Sequence, residues 1–110
     1  MHDVPESDWK VFRELRQNAL ERFCTRTLEE VETILRDGSR SHHNRYVDMF
    51  RLLQTRDDEL AQAFNDARRS RMLIQLVAIH ADGLLEPDEL ERFTPRTRAA
   101  IESLAKEFTR

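Results

Sequence analysis

The stretch from Met72 to Leu85 reads Met-Leu-Ile-Gln-Leu-Val-Ala-Ile-His-Ala-Asp-Gly-Leu-Leu, and only Gln75 and His80 interrupt its apolar run before Asp82. Apolar residues on every side of a helical wheel mark a helix that is buried all round. The run is about half the roughly twenty residues needed to cross a bilayer, so it reads as the central helix of a soluble bundle. Gly83 stops it, because glycine takes the left-handed conformation that closes a helix and lets Leu84 fold back on the last turn.

Working outward, two glycines and three prolines in 110 residues leave too few turn-formers for a many-stranded β fold. The expected fold is all-α, a small helical bundle of about four to five helices with two long antiparallel helices and a buried central helix. The length suits a single helical domain over residues 1–110, with 1–6 as a flexible N-terminus.

Helix 1 is expected to begin near Ser7 or Asp8, whose side chains can accept from the first-turn amides, and to run to about Arg36. Its stripe is Val11, Phe12, Leu15, Ala19, Leu20, Phe23, Cys24, Leu28, Val31, Ile34 and Leu35, spaced by threes and fours. Asp37-Gly38-Ser39 ends it, with Gly38 as the expected left-handed cap, and Ser41 is a good N-cap for helix 2. So short a connection makes the two helices antiparallel.

Helix 2 is read as carrying Tyr46, Val47, Phe50 and Leu53 inward. In that register Asp57 falls on the apolar stripe, which suggests a break. The macrodipole favours a break at Thr55 to Asp57 over one at Asn65-Asp66, since Asp57, Asp58 and Glu59 would then open a new helix; each such term is about 0.3 to 1 kcal/mol. An unbroken helix from Ser41 to Asp82, about 60 Å long, is the third option. Beyond Gly83 come a short helix started by Pro87 and a last one from about Pro95 to Phe108, burying Ile101, Leu104, Ala105 and Phe108.

Acids exceed bases by three, so no global positive field draws the chain to nucleic acid or membrane. The single Cys24 rules out an intramolecular disulfide and a Cys-rich zinc site, and fits a reducing cytoplasm. It lies on the helix 1 stripe and reads as a small buried hydrophobe. The opening residues have neither the basic nor the apolar region of a signal peptide.

Candidate chemistry is sparse. Asp82 to Leu90 resembles the second half of an EF-hand loop, with Asp82, Gly83 and Glu89 at its fifth, sixth and twelfth positions. The first and third positions fall on Ala78 and His80, which cannot supply the oxygens calcium needs. A glycine-capped helix followed by a proline-started one accounts for the same residues. His42 and His43 are adjacent and point about 100° apart on a helix, so they do not chelate as an i, i+4 pair does. No metal and no cofactor is expected. His80 with Asp82 and Gln75 forms the only polar cluster beside the central helix, the seat of a small enzyme site if there is one. Arg68, Arg69 and Arg71, with Arg56 nearby, form a candidate anion or nucleic-acid patch, although interleaved aromatics are lacking.

The strongest functional expectation is association. A helix 1 of roughly 45 Å outruns the short C-terminal helices, and an uncovered apolar stripe is an interface or a hazard. Soluble oligomers are mostly symmetric homodimers. The expected function is therefore that of a non-catalytic, homodimeric protein-interaction module. Its expected interface is Trp9, Phe12, Leu15, Phe23, Val31 and Tyr46.

Overall fold

The computed structural model describes residues 4–108, the side chain of Phe108 excepted. It consists of α1 (Glu6–Arg36), α2 (His42–Phe64), α3 (Met72–Ala81), α4 (Pro87–Leu90) and α5 (Pro95–Phe108), with a 3-10 turn over Arg69–Arg71 leading into α3. No strand occurs among the described residues. The molecule measures 52 × 26 × 25 Å, and its radius of gyration of 16.5 Å exceeds the roughly 13 Å of a compact chain this long. The excess is the α1–α2 hairpin, which runs on past the body formed by the later helices.

The core gathers Phe12, Leu15, Ala19 and Phe23 of α1, the last turn of α2 at Ala63 and Phe64, Met72, Leu76 and Ile79 of α3, and then Leu84, Phe93 and Ile101. Trp9 stacks on Phe12 at 5.6 Å, and Phe23 meets Phe64 edge to face at 6.0 Å. Each large side chain so buried contributes about 1.5 to 3 kcal/mol. The buried central helix is α3, packed between α5 and the base of the hairpin. Its burial is not all-round: Leu73, Ala78 and His80 are half-buried, Ala81 is exposed, and Ile74 is 58% exposed. Its end is as expected: Gly83 has φ 71°, its N–H donates to the His80 carbonyl, and the Leu84 N–H reaches back to Ile79 at 3.1 Å.

Three boundaries and one helix rotation differ from the sequence reading. The first is the start of α1, which opens at Glu6 after Pro5 without a side-chain cap, because the Asp8 carboxylate is turned across to α5. Val4 is buried and its carbonyl accepts from Arg69, so the chain is engaged from there on; residues 1–3 of the expected flexible N-terminus lie outside the described residues. The second is Gly38, which is not left-handed: the Asp37 carboxylate makes the turn itself by accepting from the N–H and hydroxyl of Ser39. Ser41 does cap α2, accepting from the Asn44 N–H at 3.0 Å.

The third is the break, which lies at Asn65-Asp66 and not at Thr55 to Asp57. Asp66 takes φ 55°, a conformation aspartate tolerates better than most residues. The arginines at the start of α3, which the macrodipole disfavours, are offset individually: Arg68 pairs with Asp66 at 2.8 Å and Arg69 with Glu6 at 2.7 Å. The fourth is the rotation of α2. Arg45, Met49, Leu52, Arg56 and Leu60 are partly buried, as are Asp48, Ala61 and the Val47 expected inside, while Tyr46, Phe50 and Leu53, also expected inside, are exposed.

Candidate protein-interaction face

The stripe expected to form an interface divides in two. Phe12, Leu15 and Phe23 are taken up by the chain's own core. Trp9 is half-buried between Phe12 and the Arg13 guanidinium, which lies 5.9 Å above its ring. Val31 is half-buried and Tyr46 is 69% exposed. The short later helices therefore cover the base of α1 but not its far half. There Leu28 is 66% and Leu35 52% exposed, and on α2 Phe50 is 56% and Leu53 43% exposed.

These residues share one side of the hairpin. On each helix the opposite side is marked by a common cleft of about 880 Å³, lined by Arg26, Glu30 and Thr33 of α1 and by Glu59 and Gln62 of α2. At about 100° per residue, Leu28 and Leu35 turn away from the cleft relative to buried Thr27; Tyr46, Phe50 and Leu53 do so relative to Arg56. The register follows from two bonds between the helices, Arg45 to the Leu35 carbonyl at 2.7 Å and Arg16 to the Phe64 carbonyl. It sets Leu35 level with Tyr46, Val31 with Phe50, and Leu28 with Leu53. With half-buried Cys24 and Val31 they form a mainly apolar face, bordered on α1 by exposed Glu32, in a chain of which 35% is charged. Such a face was missed because a period of three to four shows that a helix is amphipathic, not which of two adjacent apolar sides its own chain covers.

The charged candidates are committed elsewhere. In the cleft, Arg56 pairs with Glu30 and Glu59, and Arg26 with Asp82. The Arg56 hydrogen bond lowers the Glu30 carboxyl below the usual carboxylate range, against the opposing effect of its burial. Arg68 and Arg69 carry the acidic partners named above, and the Arg71 guanidinium stands 4.0 Å from Asp66. The three arginines thus line the turn between α2 and α3 with their charges largely offset. The cluster expected around His80 is not assembled. Gln75 is fully buried and donates to the Asn65 carbonyl, and Asp82 faces Arg26.

Two polar clusters that the sequence did not disclose hold the body together. Glu89, nearly buried, accepts from both ends of the Arg22 guanidinium at 2.5 and 3.1 Å, from Asn18 and from the Glu86 N–H. The Arg22 bond dominates and keeps the Glu89 carboxyl below its ordinary range despite burial. Asp8, 1% exposed, accepts from the Thr94 N–H at 2.9 Å and from the hydroxyls of Thr94 and Thr97 at 2.7 and 2.6 Å. Both join residues more than sixty positions apart, which no local pattern announces.

The loop resembling half an EF-hand thus has its twelfth-position glutamate held by an arginine. Millimolar calcium is expected to leave the melting temperature unchanged, because an ion would have to displace Arg22 and would still lack ligands. A reproducible rise of several degrees would contradict this. Among the described residues no group of three or more His, Cys, Asp or Glu side chains is placed to hold a metal, and no helix is long and apolar enough to cross a membrane. Comparison with family models, with curated proteins and with solved structures finds no match for this chain.

Proposed function

We propose that this chain is a non-catalytic protein-interaction module of the cytoplasm, and that it self-associates as a homodimer through the outer face of the α1–α2 hairpin. What supports the reading is the cluster of Leu28, Leu35, Tyr46, Phe50 and Leu53, five large apolar side chains exposed together on one side of two adjacent helices. Isolated apolar residues are ordinary on a surface; a contiguous apolar patch is where proteins meet. The interface moves away from Phe12, Leu15 and Phe23 and keeps Val31 and Tyr46. Aromatic anchors such as Tyr46 and Phe50 are among the residue types that dominate interface energetics.

The test is sedimentation with thermal melting across a hundredfold range of concentration. The parent protein is expected to sediment as a dimer at tens of micromolar, with a melting temperature that rises with concentration. Phe50→Asp is expected to sediment as a monomer with native helicity, since residue 50 is exposed within one chain. A compact monomer with a concentration-independent melt would overturn the proposal.

A further inference from the structure

We infer that the two copies pack antiparallel, tip to base, as a four-helix bundle with Phe50 close to the two-fold axis. This rests on the self-association proposed for that face. The five exposed side chains present roughly 600 Å² of apolar surface, at the top of what a monomer ordinarily shows and short of the roughly 800 Å² per partner of a stable interface. Half-buried Cys24 and Val31 and the rim supply the remainder, so a second copy of the same face is an occupant of the right size.

Charge at the two ends of the face decides the orientation. At its base, on the same side of the hairpin, stand the exposed acids Glu21 of α1 and Asp57 of α2. At its tip stand His43, Arg36 and Arg40, likewise exposed, of which Arg36 pairs with Glu32 at 2.8 Å and Arg40 with Asp48 at 2.6 Å. Two face-to-face hairpins have two symmetric choices. With the axis along the helices, α1 lies over α2 of the second copy in the hairpin's own register, and Glu21 comes beside the second copy's Asp57, acid against acid. With the axis across the helices, α2 lies over α2 and Asp57 falls level with His43 of the second copy. Glu21 then meets the tip turn that carries Arg36 and Arg40. The first choice sets two exposed carboxylates against each other and the second separates them, and avoided like-charge contacts of this kind set register and orientation. In both choices every helix runs antiparallel to its neighbours, so the macrodipoles do not discriminate.

Disulfide trapping in a Cys24→Ser background separates the two. A disulfide needs Cα atoms within about 7 Å, which the antiparallel dimer offers to two copies of residue 50 and the parallel dimer does not. Phe50→Cys is expected to convert the bulk of the protein to a covalent dimer on mild oxidation. A mixture of Tyr46→Cys and Gln54→Cys chains, which keeps Phe50, is expected to form the mixed disulfide. Trapping instead between Leu28→Cys and Leu53→Cys, with none at residue 50, would overturn the antiparallel arrangement while leaving self-association standing. Monomeric sedimentation of the parent protein would remove both.

Discussion

Replacing Phe23 by aspartate is expected to leave the chain without a cooperative fold at any concentration, whereas the same change at Phe50 leaves it folded. Phe23 is 6% exposed and sits edge to face on Phe64 where α1, the end of α2 and the body meet. Truncating a core phenylalanine costs about 3 to 5 kcal/mol, and an unpaired carboxylate left in that apolar setting costs several more. Domains of this size have about 5 to 15 kcal/mol to lose. Far-UV circular dichroism and denaturant titration of the two variants side by side provide the measurement. A Phe23→Asp protein that melts cooperatively within a few degrees of the parent would show that this part of the stripe is not core. Equal damage from Phe50→Asp would show that the outer face is covered within one chain.

That contrast also marks where sequence patterning stops. The spacing of threes and fours located α1 to within two residues of its ends, and the all-round apolarity of Met72 to Ile79 picked out the central helix. Gly83 and Ser41 were legible because a left-handed turn and an N-cap are local requirements met by one residue. The break after α2 was misplaced because the macrodipole weighs only the helix's own charges. Glu6, far away in sequence, and Asp66, in the turn, neutralise the arginines that open α3. Asp8 was read as a local cap for the same reason, when its partners lie 86 and 89 residues away. Charged residues choose partners by proximity in the finished fold, so their roles are the least legible part of a helical sequence.

Asp8 therefore carries the largest expected effect outside the apolar core. Its carboxylate holds the two threonines at the start of α5 and is itself almost sealed from water. Asp8→Ala leaves a backbone N–H and two hydroxyls without their acceptor at the junction of α1 and α5. Each buried orphan costs about 1 to 3 kcal/mol, and partial relaxation toward water brings the expected loss to about 3 kcal/mol. Asp8→Asn keeps an acceptor oxygen, and rotatable threonine hydroxyls can accept from its amide, so a smaller loss is expected. Thr97→Val in the Asp8→Ala background is expected to cost less than it does alone, because in the double variant neither partner is left orphaned by the other. Denaturant unfolding of the four proteins measures that coupling. Additive losses, or a change at Asp8 that leaves stability where it was, would mean that α5 is held by α3 alone and that the carboxylate is not its latch.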